Sequence, residues 1–182
     1  MAYKMSDEEK EAHVMMKNLI DQKPRRLKAS DFQPGQIILY SYKAKFDKNP
    51  YDANPLVFIL GTKGRKYVYG INFNWIPPVL RKGIIGMIMK ANKKNIEKGR
   101  PLVVPKDLVK KIFRMGVPAF RKYLKNRISP KGVVVPHEVY PKVVNLRAEH
   151  FINISSEKAW KIAVSRIKRN KKKVARKDKG YR

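Results

Sequence analysis

The segment from residue 56 to residue 73 constrains the fold most, because it holds two β-rich runs that a short turn must join. Residues 56–60 and 67–73 are rich in β-branched and aromatic side chains, which favour strands. The residues between them, 61–66, contain two glycines and a basic pair, and glycine supplies the backbone conformations that hairpin turns require. The pattern predicts an antiparallel hairpin near the middle of the chain.

A further β-rich run precedes this hairpin and begins after the turn signal Pro34-Gly35. Residues 37–46 again combine β-branched and aromatic side chains. Residues 131–147 return to strand character, and Pro136 and Pro141 confine part of that run to an edge or a loop. Short strands separated by turns predict a small SH3-like β-barrel or a strongly bent antiparallel sheet.

Helical patterns lie on both sides of the β-rich centre, so the predicted fold class is α+β with several packed helices. The predicted helices cover residues 6–21, 79–98, 105–115 and 118–125, followed by a last helix from Ser155 or Ser156. The predicted organisation is an N-terminal helix and linker (1–28), a single α+β domain with the barrel (29–165) and a basic C-terminal tail (166–182). Disorder is the default state of that tail, because it has few apolar residues.

The net charge of the chain limits the classes of partner that it can bind. Lys and Arg number 43 and Asp and Glu number 14, which gives a formal net charge of +29. A compact body with this charge repels itself and is best tolerated beside a polyanion. Nucleic acid is the leading candidate, because neutralising phosphates releases counterions and drives binding. An anionic membrane is the second candidate, but it usually needs an amphipathic or lipidated anchor, and the longest apolar stretch, residues 83–91, is too short to span a bilayer.

The positive charge is concentrated in two regions, residues 81–132 and residues 166–182. No zinc finger, basic zipper or RNA-recognition motif is present, so we expect contacts to the phosphate backbone rather than to base edges. The candidate phosphate-binding residues are Arg65, Lys66, Arg81, Lys82, Lys90, Lys93, Lys94, Arg121, Lys122, Lys125, Arg127, Arg166, Lys168, Arg169, Lys171, Lys172 and Lys173.

Two aromatic residues, Phe73 and Trp75, stand beside asparagines in the stretch "GINFNWIPPVLRKG". They are candidates for stacking on unpaired bases. The alternative is that both pack in the core where a strand gives way to a helix, with Asn72 and Asn74 bonding the backbone of the turn.

The sequence does not predict an enzyme, a metal site or a cofactor. Cysteine is absent, and His13, His137 and His150 are scattered without metal-ligand spacing. Asp47 and Asp52 share a loop where a hard cation is conceivable, but this loop lacks the spacing of an EF-hand and the third carboxylate of a nuclease cluster. No P-loop, nucleophile elbow or dinucleotide fingerprint occurs.

Five blocks of the chain occur in the order seen in one phage family: "PGQIILYSYKAKF", "YDANPLVFILG", "GINFNWIPPVLR", "FRKYL" and "FINISSEKAWKIAVSRIK". They resemble a family encoded by T4-like tailed bacteriophages, over about residues 30–170. The matching positions of the middle blocks are Tyr51, Asp52, Pro55, Leu56, Val57, Gly70, Asn72, Pro77, Pro78 and Arg81. The resemblance implies a phage origin and a virion- or DNA-associated role, in the virion or in the cytoplasm of the infected cell. This chain has Asn74-Trp75 where the family more often has a His-Tyr pair.

The leading interpretation is a non-enzymatic phage protein that binds nucleic acid, double-stranded DNA rather than RNA, through phosphate contacts of a basic helical surface and tail. It would act in packaging, in replication or inside the virion. Its protein partners would be virion or replication proteins, with no membrane partner. One alternative is a virion assembly component of the neck, tail or baseplate. Two others are an RNA-binding, ribosomal-like protein and, less well supported, a nuclease.

Overall fold

The computed structural model describes residues 25–46, 48–98, 100, 102–114, 119–143, 146 and 148–179, together with Asp7, Lys10, Glu11, Val14, Met15, Lys17 and Asn18. The strands are β1 (Arg25–Arg26), β2 (Ile37–Tyr42), β3 (Tyr51–Asp52), β4 (Leu56–Lys63), β5 (Tyr67–Asn72), β6 (Phe120–Leu124), β7 (Ile128–Val135) and β8 (Phe151–Ile152). The α-helices are α1 (Pro78–Ala91), α2 (Lys93–Glu97), α3 (Lys106–Arg114), α4 (Tyr140–Val143) and α5 (Ser156–Lys179).

The main sheet has six strands in the order β1-β7-β2-β4-β5-β6, and each neighbouring pair is antiparallel. Strands β3 and β8 form a separate antiparallel pair. In the part of the chain that the structure describes, no pairing joins the edge strands β1 and β6, so the sheet stays open. The α+β class is confirmed, whereas the predicted SH3-like barrel is not.

The predicted hairpin is the pair β4–β5, which is joined by the turn at residues 64–66. Gly64 in this turn has φ +57°, a left-handed conformation that residues with a Cβ adopt at a cost. A register shift between Ile59 and Gly61 marks a bulge that bends β4. Gly64 therefore has the turn role that the sequence pattern predicts, whereas Gly61 lies within β4 at the bulge and not in the turn.

Alternating side chains of the sheet enter two apolar cores, because successive residues of a strand face opposite sides. The helix-side core joins the sheet to α1, α3 and α5 and includes Ile37, Leu56, Phe58, Ile71, Ile84, Ile88, Ile112, Ala159 and Ile167. The tyrosine-side core covers the opposite face and consists of Phe32, Ile38, Tyr40, Val57, Ile59, Val68 and Tyr123. Both faces of the sheet are thus buried, which explains why the central strands are apolar at nearly every position.

The predicted helix over residues 118–125 is wrong, because residues 120–124 form strand β6. This strand pairs with β5 from Ile71↔Phe120 to Tyr67↔Leu124. Tyr123 is 4% exposed in the tyrosine-side core. Ladder hydrogen bonds and burial of one face outweigh the weak helix preference of this basic stretch.

The predicted helix over residues 79–98 is broken at Asn92. The side-chain amide of this buried residue donates to the carbonyls of Ile88 and Val103, at 2.8 Å in both cases. Its Oδ1 accepts from the backbone N–H of Val103 at 2.7 Å. The amide thereby caps the end of α1 and fixes the segment that follows α2.

The C-terminal region differs from the expected disordered tail, because α5 continues without interruption to Lys179. The predicted boundary at residue 166 therefore falls within a helix. At the other end of the chain, the seven described residues of the predicted N-terminal helix are helical. The first residue of that predicted helix, Ser6, lies outside the described residues.

Candidate nucleic-acid interface

Phe73 and Trp75 lie in a 3-10 turn, Phe73–Trp75, between β5 and α1. Phe73 is fully buried, and Trp75 is only 6% exposed. The ring of Trp75 packs edge-on against Phe151 with 4.8 Å between centroids, and the guanidinium of Arg121 lies 4.0 Å from its centroid. Neither aromatic ring offers the open face that stacking on a base requires, which corrects that expectation. Both residues pack in the core, as the alternative interpretation expects.

The adjacent asparagines converge on the carboxylate of Asp52, which is 3% exposed. The amide groups of Asn72 and Asn74 donate to Oδ2 at 3.0 and 2.8 Å. The backbone N–H groups of Asn54 and His150 donate to Oδ1, both at 3.2 Å. Burial raises the pKa of Asp52, and these four hydrogen bonds oppose that rise. The network ties β3 and the segment before β8 to the corner between β5 and α1.

This network argues against a cation at Asp52, because N–H donors rather than oxygen ligands surround its carboxylate. Asp47 lies outside the described residues. Among the residues that the structure describes, no group of three or more His, Asp or Glu side chains is arranged to hold a metal ion.

Arg81 is a buried structural residue, which corrects its assignment as a phosphate contact. Its side chain is 0% exposed, and its Nε donates to the carbonyl of Ile76 at 2.7 Å. One terminal nitrogen donates to the carbonyl of Leu146 at 2.7 Å, and the other lies 3.6 Å from the carboxylate of Glu149. Arg81 therefore joins α1 to the segment that precedes β8, where DNA has no access.

Two other candidate residues, Lys66 and Lys122, lie against the ring of Tyr67 at the start of β5, and the backbone of a third, Lys125, is bonded to Lys66. The Nζ of Lys122 lies 3.8 Å from the centroid of the Tyr67 ring, and the Nζ of Lys66 lies 5.6 Å from it. The backbone N–H of Lys125 donates to the carbonyl of Lys66 at 3.0 Å. Pairing of the two strands thus gathers cations that are distant in the sequence.

Two more of the candidate residues lie close to this group. Arg65 is exposed in the same hairpin turn as Lys66. The exposed Arg127 follows Lys125 in a 3-10 turn, and its carbonyl accepts a hydrogen bond from Lys43 at 3.1 Å.

An open groove runs beside Tyr67 between β6 and the segment that follows β2. It has a volume of about 310 Å³ and adjoins a smaller cavity of about 120 Å³, since the two share the lining residues Tyr42, Pro50, Tyr51 and Lys122. The ring of Phe46 is 65% exposed, and the Nζ of Lys45 lies 5.2 Å from its centroid. We call this site the aromatic–cationic groove and define it by Tyr42, Lys45, Phe46, Tyr51, Tyr67 and Lys122.

Helix α5 brings further positive charge toward the smaller cavity. Burial lowers the pKa of Arg121, which lines that cavity, and the nearby positive charge of Arg166 lowers it further. Arg166, Lys168 and Arg169 are exposed on α5. Lys171, Lys172 and Lys173 continue the helical backbone, and their side chains lie outside the described residues.

The remaining candidates lie on other elements. Lys82, Lys90, Lys93 and Lys94 are exposed on α1 and α2, and they are not among the residues that line the groove or the smaller cavity. The candidate cations therefore divide into one set around the groove and α5 and a second set on α1 and α2.

Sequence reasoning missed the aromatic side of the groove. Tyr42, Phe46 and Tyr51 belong to a strand end, a loop and a two-residue strand, which a sequence pattern does not bring together. The signal that was available is the stretch "YSYKAKF", where aromatic and basic residues alternate just before a loop that contains Pro50. Such alternation is typical of surfaces that stack on bases and contact phosphates.

Over residues 4–170, the chain matches the family model of the phage T4 terminal DNA protecting protein. The chain belongs to this family. The match extends over the whole sheet and into α5, and it confirms the resemblance to a family of T4-like tailed bacteriophages. No curated protein and no solved structure matches the chain. The family name describes the protection of DNA.

None of the helices in the described part of the chain has the length and apolar character needed to cross a membrane.

Proposed function

We propose that this protein is a non-enzymatic phage protein that binds the ends of double-stranded DNA through phosphate contacts. The name of its family, terminal DNA protecting protein, supports DNA termini as the target. The observation that carries the proposal is the grouping of exposed Lys66 and Lys122 around Tyr67 beside one open groove, with Arg166 of α5 close to Arg121 in the adjacent smaller cavity.

Phosphate contacts account for affinity, because each neutralised phosphate releases counterions into solution. Lys122 lies on strand β6, and Lys66 and Lys125 lie in turns whose backbones are hydrogen-bonded to each other, so little ordering of the backbone is needed on binding. Binding should weaken steeply and log-linearly with salt concentration. Charge alone does not distinguish an end from the middle of a duplex, and the preference for ends must come from a feature that only a terminus offers.

The proposed setting is the infected cell, where the protein would occupy DNA ends during packaging or replication, or remain on the DNA inside the virion. Mass spectrometry of purified virions and of infected-cell lysates separates these two locations. A fixed copy number in particles would place the protein in the virion, and retention on DNA would then distinguish a DNA-bound protein from one bound to another virion protein.

End binding is tested with two duplexes of the same sequence, one with two open ends and one closed by hairpin loops at both ends. We expect the full chain to bind the open duplex more tightly and to slow its digestion by an exonuclease. Equal affinity for the two duplexes would contradict end recognition. Absence of binding to either duplex at low salt would contradict DNA binding altogether.

A second candidate function is a contact with another virion protein, and one observation favours it. Val79, Val103 and Phe113 are large apolar residues that are 84%, 59% and 67% exposed. Exposed apolar side chains are characteristic of protein–protein contacts when they form a patch. Stoichiometric presence in particles without any retention on DNA would favour this function over the first.

A further inference from the structure

We infer that the aromatic–cationic groove binds the unpaired nucleotides at a DNA terminus. This inference rests on the proposed function and specifies the part of the DNA that the protein recognises. The ligand class is a short single-stranded overhang, or a frayed end, with its base inside the groove and its phosphates at the lysines.

The lining of the groove matches the two chemical parts of a nucleotide. Phe46 exposes 65% of its surface at one side, and Tyr51 and Tyr67 line the same space. Every base has a π face that can stack on such rings, whatever the sequence. Lys45 and Lys122 lie 5.2 and 3.8 Å from the ring centroids of Phe46 and Tyr67, so positive charge accompanies the stacking surface.

The size of the groove favours an unpaired base over intact duplex. Its volume of about 310 Å³ is near the lower end of the range of about 300–1,000 Å³ that is usual for small-molecule sites. A paired base within a duplex cannot place its face on an aromatic ring without leaving the stack. That cost is smallest for bases that are already unpaired, and DNA ends supply such bases.

Further positive charge lies next to the groove, at the smaller cavity, where the phosphates beyond the terminal nucleotide would be expected. Lys122 lines both the groove and the smaller cavity, and Arg166 of α5 lies near Arg121 in the wall of that cavity. A duplex whose terminal nucleotide occupies the groove would therefore meet further positive charge beyond it. In this arrangement the groove recognises the unpaired base, which is the feature of a DNA end that phosphate contacts alone do not distinguish.

The experiment measures fluorescence anisotropy of the full chain with labelled duplexes that carry a blunt end, a three-thymine overhang or a three-residue abasic overhang. We expect the thymine overhang to bind about tenfold more tightly than the abasic overhang, because only the base can stack. Phe46→Ala should abolish this preference, and it should weaken binding of the blunt duplex by a smaller factor than binding of the thymine overhang, because a blunt end exposes an unpaired base only when it frays. Phe113→Ala, which removes an aromatic ring of similar exposure on α3, is the matched control and should keep the preference.

Equal binding of the thymine and abasic overhangs would overturn the inference. It would also be overturned if Phe46→Ala weakened all three duplexes by the same factor. If the protein prefers open ends over closed ends but shows no preference for an overhang, the proposed function is still supported and only this inference is contradicted. Failure to bind any of the duplexes would remove both.

Discussion

The guanidinium carbon of Arg121 lies 4.0 Å from the centroid of the Trp75 ring, and the indole is buried on the face of the fold where β3 and β8 pair. The guanidinium of Arg121, on the edge strand β6, is thus held against Trp75, which belongs to the helix-side core. The contact links the stability of the corner between β5 and α1 to the position of the charge that lines the smaller cavity.

Replacing Trp75 by Ala should destabilise the protein before it affects DNA binding. Removing a buried aromatic side chain costs about 3–5 kcal/mol, because the cavity that remains is only partly filled. Urea unfolding followed by circular dichroism measures the loss, and Trp75→Phe should lose less. An unchanged free energy of unfolding, together with a collapse of binding to single strands, would show that the indole stacks on bases after all.

Arg81→Met should lower the free energy of unfolding by about 3–5 kcal/mol, because it removes the guanidinium that lies 3.6 Å from the buried carboxylate of Glu149. The double variant Arg81→Met with Glu149→Leu should recover part of this loss. Lys90→Gln, at an exposed position of the same helix, should change stability by less than about 0.5 kcal/mol. If the double variant is no more stable than Arg81→Met, the ion pair between Arg81 and Glu149 is not the source of the stability that Arg81 provides.

Lys122→Gln should reduce the slope of log affinity against log salt concentration by about one, because one phosphate contact is lost. Filter binding of a blunt duplex at several salt concentrations measures this slope. Lys110→Gln is the control, because Lys110 is exposed on α3 and lies 3.5 Å from Asp107 outside the groove. Equal changes in both variants would indicate that DNA does not bind preferentially beside β6.

Truncation of α5 should have different effects on either side of Ile167, which is 8% exposed in the helix-side core. Removal of residues 171–182 should reduce the salt slope, because seven basic residues and one acidic residue are lost, and should leave the melting temperature unchanged. Removal of residues 166–182 should also lower the melting temperature. Equal melting temperatures for the two truncated chains would contradict the packing of Ile167.

Asp52 should make the protein less stable as the pH rises. Its pKa is raised above the ordinary value of 3.8 in the folded state, so the folded protein binds more protons than the unfolded chain. The stabilisation is therefore complete below the unfolded pKa and is lost as the pH increases through the folded pKa. Paired urea titrations, started below the ordinary pKa of 3.8, measure the free energy of unfolding of the wild type and of Asp52→Asn. The stability of the wild type relative to Asp52→Asn should decrease as the pH rises. An increase would mean that the four hydrogen bonds dominate over burial.

Local patterns predicted the parts of the fold that depend on residues close in the chain. The β4–β5 hairpin follows from two glycines between two β-rich runs. Strand β6 was missed because its strand character depends on pairing with β5, about 50 residues earlier, which no local pattern encodes. For α5, the low apolar content of residues 166–182 predicted disorder, whereas the helix begins in the core and continues through these residues.

The candidate site was predictable as a set of cations but not as a surface. Arg81 and Lys82 are adjacent in the sequence, yet one is buried against carbonyl groups and the other is exposed. Composition cannot separate two such neighbours, because burial depends on which face of α1 packs on the core. The rings of the groove are brought together only when the loop after β2 folds toward Tyr67.

Helix α5 is anchored by Ala159, Ala163 and Ile167, which recur at every fourth residue on one face. A residue inserted after Ile167 would turn every later position about the helix axis by roughly 100°. Three apolar side chains therefore set the direction in which the basic residues of α5 face. The number of residues between the apolar and the basic segment is constrained, and not only the charge.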